Sequence, residues 1–165
     1  MSDFERAVEF IFKWEGGYVA DPADPGGETR FGISKREYPD VDIKGLTKVR
    51  AKEIYRRDYW QKAGCPALPW PLSLIVLDTA VNMGVGRAGG FLGLVRKSEG
   101  VYDWTEYLFL RIEYYSRVLG RKYPQFLRGW INRVIDLYKL AVDDNHPLSG
   151  YEDAGDMSQA ARRPG

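Results

Sequence analysis

Acidic and hydroxyl side chains follow the first helical stretch of the sequence at a spacing that suits acid–base chemistry. Glu15 ends that stretch, Asp24 follows after eight intervening residues, and Thr29 follows after four more. The C-terminal end of a helix and the flanking Trp14 and Tyr18 disfavour a charged carboxylate at Glu15, which is what a general acid needs. Asp24 lies in a turn-rich segment whose backbone N–H groups favour the ionised form. Two carboxylates in unlike surroundings are typical of an acid and its partner.

Two alternatives stay open at this point. A Glu before Gly16-Gly17 can simply be the exposed end of a helix, and Asp-Pro pairs are common in turns. Asp21 lies in the same segment as Asp24 and is the alternative second carboxylate.

The composition excludes several other chemistries. The 165 residues include one cysteine, Cys65, and one histidine, His146. An intrachain disulfide is therefore impossible, and Ser-His-Asp, Cys-His and multi-histidine metal sites are disfavoured. We expect no metal and no cofactor, which leaves catalysis to carboxylates, hydroxyls, lysines and tyrosines.

Charge is unevenly distributed along the chain. Residues 41–140 carry 17 Lys and Arg against nine Asp and Glu, whereas both ends are acidic. A basic middle suits a polyanion such as bacterial wall polymer, although solvated helix faces look the same. We expect no nucleic-acid partner, because no recognition motif accompanies the charge. No apolar run approaches the ~18 residues of a membrane span, so we expect no integral membrane association, and the N-terminus lacks the pattern of a signal peptide.

Hydrophobic periodicity predicts a mainly α (α+β) protein. Turn residues dominate 18–34, where we expect a small β-hairpin after the first helix. An apolar segment at 72–83 predicts a buried central helix. The other helices are predicted at 3–15 behind a Ser2-x-x-Glu5 capping box, and at 47–62, 86–98, 103–119 and 125–142.

The motif around these carboxylates resembles glycoside hydrolase family 108. It reads Glu-Gly-Gly-Tyr at 15–18 and Asp-Pro-x-Asp-Pro-Gly-Gly-x-Thr-x-x-Gly-Ile-Ser at 21–34, and the resemblance continues at 51–60 and 78–84. Residues 129–133 are similar to the small C-terminal peptidoglycan-associated region of such proteins. The family comprises N-acetylmuramidases that cleave peptidoglycan, phage endolysins among them. Phage-type lysozymes show a related Glu, Asp, Thr spacing, from which Thr29 departs by one residue.

The resemblance implies a lysozyme-like helical bundle and roles for the acidic residues. Glu15 would protonate the glycosidic oxygen of the β-1,4 bond between N-acetylmuramic acid and N-acetylglucosamine. Asp24 would stabilise the oxocarbenium-like transition state, or activate water with help from Thr29. A separation of ~6.5–9.5 Å between the two carboxyl groups would predict hydrolysis with inversion at the anomeric carbon. A separation of ~5–5.5 Å would predict retention. The alternatives are a lytic transglycosylase, an N-acetylglucosaminidase or chitinase, and a non-catalytic cell-wall-binding protein.

Candidate substrate-binding residues surround this motif. Tyr55 and Tyr59 present faces on which sugar rings stack, although aromatic residues at helical spacing more often belong to a core. Asn82 lies four residues after Asp78 on the apolar helix, where it either lines the cleft or joins a buried polar network. Tyr18 and Asp21 complete the predicted set.

We expect one domain in three parts. Residues 1–93 form the catalytic lysozyme-like region. Residues 94–142 form a helical peptidoglycan-associated region packed onto it, since no flexible linker intervenes. Residues 143–165 form a flexible tail. We expect a monomer made in the bacterial cytoplasm that reaches the cell wall by a separate, holin-like route and lyses the cell.

Overall fold

The computed structural model describes residues 1–20, 27–98 and 100–142. Asp21, Asp24 and the predicted tail lie outside these residues. The helices are α1 (Asp3–Glu15), α2 (Lys48–Tyr55), α3 (Leu72–Met83), α4 (Val85–Leu94), α5 (Trp104–Tyr114), α6 (Gly120–Lys122) and α7 (Pro124–Ala141). The strands are β1 (Thr29–Arg30), β2 (Ile33–Ser34), β3 (Lys97–Ser98) and β4 (Val101–Tyr102). The predicted mainly α fold is confirmed, and none of the described helices is long and apolar enough to cross a membrane.

Helix α1 begins and ends where its sequence predicts. The Ser2 hydroxyl accepts a hydrogen bond from the Glu5 backbone N–H at 3.3 Å, and the Ser2 N–H donates to the Glu5 carboxylate at 3.0 Å. This capping box satisfies two of the N–H groups that a helix start leaves unpaired. The chain leaves the helix at Gly16, so Glu15 is its last residue.

Helix α3 runs through the centre of the bundle. All of its residues from Leu72 to Val81 are buried, and α1 and α4 pack against it. Burial on every side is what the apolar sequence predicts. It also encloses the carboxylate of Asp78, which needs partners from other elements.

A tight hairpin follows α1, as the turn residues predict. Strands β1 and β2 pair in antiparallel register, Thr29 opposite Ser34 and Arg30 opposite Ile33. The two turn residues between them, Phe31 and Gly32, have φ angles of 52° and 72°. Positive φ at both positions is typical of the type I′ turn, whose twist matches that of the strands.

The hairpin is tied to the end of α1 by backbone hydrogen bonds. The N–H and C=O groups of Val19 exchange two bonds with those of Thr29, each 2.8 Å long. The turn of the hairpin therefore returns to the C-terminal end of α1, where Glu15 lies.

Three helices end differently from the sequence prediction. The spacing over 47–62 and 103–119 predicts regular helices, but α2 and α5 pass into π-helical turns at Arg56–Trp60 and Tyr115–Leu119. The predicted helix at 86–98 ends early, because Val95 adopts an extended conformation. Its last residues form β3, which pairs with β4 in a second small hairpin that the periodicity did not indicate.

Replacing Leu74 by alanine should cost about 2–5 kcal/mol of unfolding free energy, because Leu74 is fully buried in α3 and its removal leaves a cavity. Leu94→Ala is the matched control: Leu94 is 66% exposed at the end of α4, and its loss should cost less than about 0.5 kcal/mol. Urea unfolding of both variants measures the difference. Equal losses would contradict the placement of α3 at the centre.

Candidate active site

The carboxylate of Glu15 meets an arginine from the far end of the chain. Its Oε1 accepts a hydrogen bond from Nη1 of Arg133 at 2.8 Å, across 118 residues of sequence. The Glu15 side chain is 12% exposed, and that of Arg133 is wholly buried. The last residue of α1 and the middle of α7 therefore meet where the Glu15 side chain is partly exposed.

Arg133 is held on its other edge by Asp78. Its Nε and Nη2 both donate to Oδ1 of Asp78, at 2.9 and 2.6 Å. The second oxygen of Asp78, Oδ2, lies 2.6 Å from Nη2 of Arg111 on α5. Glu15, Arg133, Asp78 and Arg111 thus form a chain of two anions and two cations, which we call the ion-pair chain. Its formal charge is zero, as burial requires.

Neighbouring polar groups satisfy the remaining donors of the ion-pair chain. Arg111 donates to the Tyr115 hydroxyl at 3.0 and 3.2 Å and to Thr79 Oγ1 at 3.3 Å. With its amide oxygen turned towards Arg133, Asn82 accepts from that guanidinium at 3.0–3.3 Å. Buried guanidinium groups need this complement, since each unpaired donor would cost free energy.

The members of the ion-pair chain keep one another charged. Burial alone would raise the pKa of Asp78, but the positive charges of Arg133 and Arg111 outweigh it and hold that pKa below its usual value. Burial likewise opposes the charge of Arg133, while Asp78 and Glu15 raise its pKa above the ordinary one. A fixed positive charge therefore lies beside Glu15 throughout the working pH range.

The first hairpin packs against the other oxygen of Glu15. A Cβ atom placed on Gly32 would lie 2.7 Å from Glu15 Oε2 and 2.6 Å from the hydroxyl oxygen of Tyr55. The Tyr55 hydroxyl donates to the carbonyl of Phe31 at 2.6 Å, which anchors the turn. Only glycine fits here, both for its φ of 72° and for the lack of space.

The structure places the predicted aromatic residues in different surroundings. Tyr55 is fully buried, and its ring packs against Phe12 and Tyr59, with ring centroids 6.0 and 5.5 Å apart. The core alternative is the one observed for its ring, while its hydroxyl lies at the hairpin turn. Tyr59 is half-buried. Tyr18 is 39% exposed and donates from its hydroxyl to Glu28 at 2.9 Å.

The remaining predicted residues are divided between the site and the undescribed segment. Thr29 is half-buried in β1, two residues from the hairpin turn. Asn82 lies against Arg133, so the structure joins it to the polar network. Asp21 and Asp24 lie outside the described residues. Among the residues that are described, no cluster of three or more His, Cys, Asp or Glu side chains is placed to hold a metal ion.

Sequence reasoning missed Arg133, Arg111 and Gly32 as parts of the site. One signal was present: an aspartate on an apolar helix needs a buried cation. The sequence offers 24 Lys and Arg, and nothing local selects two of them. The short motif that ends at Arg133 was visible as a pattern, but the pattern did not indicate a contact with Glu15.

A helical bundle with a small hairpin after its first helix is a lysozyme-like fold, and here the first helix ends in a carboxylate. The solved structure of Brucella abortus SagA is similar: it shares 29% sequence identity and a TM-score of 0.68, over 84% of this chain and 93% of that one. Residues 8–84 match the family model of glycosyl hydrolase 108. This match, over just under half of the chain, confirms the resemblance and supports a glycosidase. Comparison with curated proteins finds no significant match.

Alanine at Gly32 should destabilise the protein more than alanine at Gly64. Both glycines have a φ of 72°, but the space beside Gly64 is open, so Gly64→Ala should cost about 1–2 kcal/mol from backbone conformation alone. Gly32→Ala should cost at least about 1 kcal/mol more, because the new methyl group overlaps Glu15 and Tyr55. Urea unfolding gives both values. Equal costs would show that the hairpin does not press on Glu15.

Proposed function

We propose that this chain is a peptidoglycan hydrolase of the N-acetylmuramidase type. It cleaves the β-1,4 bond between N-acetylmuramic acid and N-acetylglucosamine, with Glu15 as the general acid. One observation carries the proposal: within the region that matches the glycosidase family, Glu15 is a largely buried carboxylate held at the end of a helix. A positioned carboxylic acid of this kind is the central requirement for glycoside hydrolysis.

The two oxygens of Glu15 have different tasks in this mechanism. Arg133 occupies Oε1, so the transferable proton resides on Oε2. Oε2 gives that proton to the bridging oxygen as the bond from C1 to oxygen breaks. Water supplies a hydroxyl group to C1, and its remaining proton returns to a carboxylate. Asp24, helped by Thr29, is the second carboxylate.

Arg133 places a positive charge in contact with Glu15, close to Trp14 at the helix end. A general acid must hold its proton until the bond breaks, so this charge bears directly on the proposed role. The negative charge of Asp78 offsets part of that positive charge. A sugar ring bound over the exposed part of Glu15 would remove the remaining water, which disfavours the charged form.

The substrate is a long polymer, and several features suit it. Tyr18 and Tyr59 retain exposed surface that can contact sugar rings. The basic middle of the sequence suits the polyanionic cell wall. We propose that the enzyme acts as a monomer of endolysin type: it is made in the bacterial cytoplasm, reaches the wall through a holin-like lesion and lyses the cell.

Glu15→Gln should abolish the release of reducing ends from purified peptidoglycan. The substitution keeps the shape and removes the proton, so the rate should fall at least about 100-fold. Glu9→Gln is the matched control, because Glu9 lies on the same helix and pairs with Lys52 at the surface. Thermal unfolding checks that both variants are folded. An active, folded Glu15→Gln protein would contradict the assignment of Glu15 as the general acid.

The products distinguish the muramidase from the alternatives. A new reducing N-acetylmuramic acid supports the proposal, whereas a 1,6-anhydro product identifies a lytic transglycosylase. A new reducing N-acetylglucosamine indicates a glucosaminidase. Wall binding without any cleavage would identify a non-catalytic cell-wall-binding protein.

Asp24→Asn should lower the rate at least about 100-fold, because the second carboxylate must be ionised in a hydrolytic mechanism. Asp21→Asn, the same substitution three residues earlier, should change it less than about tenfold, within the range of an indirect effect. Counting reducing ends for both variants separates the two candidates. The reverse order of effects would assign the role to Asp21.

A further inference from the structure

Arg133 contacts two carboxylates with different parts of one guanidinium group. Nη1 donates to Glu15, while Nε and Nη2 donate to Asp78. All three distances, from 2.6 to 2.9 Å, are those of charge-assisted hydrogen bonds. The planar fork of arginine can bridge two anions in this way, and the single ammonium group of lysine cannot hold the same geometry.

A further set of contacts fixes Asp78 itself. Its Oδ2 faces Arg111, and Arg111 is held in turn by Tyr115 and Thr79. These side chains are fully or almost fully buried and come from α3, α5 and the turn that follows α5. Arg133 therefore has little freedom to move without breaking contacts across the bundle.

We propose that Arg133 is the positioning residue of the catalytic acid, holding Oε1 of Glu15 while Asp78 holds Arg133 from behind. The inference rests on the proposed role of Glu15. It gives α7 a part in the site, although Arg133 lies outside the residues that match the family. Residues 94–142 then complete the active site instead of serving only as a peptidoglycan-associated region.

The arrangement also makes the acid sensitive to the charges behind it. Arg133 favours the ionised form of Glu15, and Asp78 weakens that effect because it neutralises part of the guanidinium charge. Removing either charge should therefore move the pH dependence of the reaction, in opposite directions. Among the described residues, the groups that face Glu15 or its arginine include Arg133 on α7, Asp78 and Asn82 on α3, Tyr55 on α2, and Trp14 on α1.

The test is the pH–rate profile of peptidoglycan hydrolysis by the full chain. Its alkaline limb reports loss of the acid's proton. In Arg133→Gln this limb should move to higher pH by about one unit or more, the effect of removing a cation in contact with a carboxylate. In Asp78→Asn it should move to lower pH. Arg128→Gln, which removes an exposed arginine from the same helix, should leave the limb in place.

A merely structural role for Arg133 gives a different result. It would lower the rate at every pH, with the limb unmoved, and that outcome overturns the proposal. If Glu15→Gln is inactive but the limbs of both charge variants stay in place, only this inference fails. If Glu15→Gln is active, the proposed function itself fails.

Arg133→Lys keeps the inference testable if the charge variants do not fold. Lysine retains the positive charge but not the fork, so the limb should stay within about half a pH unit while kcat falls about tenfold or more. KM should stay within about twofold, because the Arg133 side chain is wholly buried. Thermal unfolding must show a folded protein. A wild-type kcat in this variant overturns the positioning role.

Discussion

The carboxylate of Asp78 lies in the centre of the most apolar helix, and its two arginine partners join distant parts of the chain. Arg111 and Arg133 reach it from α5 and α7. A buried ion pair adds little net stability compared with apolar packing, but removing one partner costs about 3–5 kcal/mol, because the other charge is left unpaired. The ion-pair chain therefore acts mainly as a constraint on geometry: α3, α5 and α7 must meet in one arrangement.

Glu15 is the partly exposed end of the ion-pair chain. Arg133 holds one of its oxygens, and the turn of the first hairpin packs beside the other at Gly32. The Tyr55 hydroxyl anchors this turn through the carbonyl of Phe31. A carboxylate held from two sides has few accessible rotamers, which is the preorganisation that a catalytic acid needs.

The same contacts set a balance between position and proton affinity. The cation that orients Glu15 is also a charge in direct contact with the group that must give up a proton. Asp78 moderates the cation without touching Glu15. Orientation and electrostatics thus depend on one group of residues, so a substitution in that group changes both.

The local features of this protein follow from short stretches of its sequence. The capping box at Ser2, the break at Gly16 and the turn residues of the first hairpin are local signals, and each lies within a few residues of the structure it specifies. The motif around Glu15 was long enough to indicate the family. Tertiary packing was needed to show that Arg133 meets Glu15, that the Tyr55 ring belongs to the core, and that residues 97–98 pair with 101–102. A contact across 118 residues depends on how helices pack, and helical periodicity shows which face is buried but not which side chain it meets.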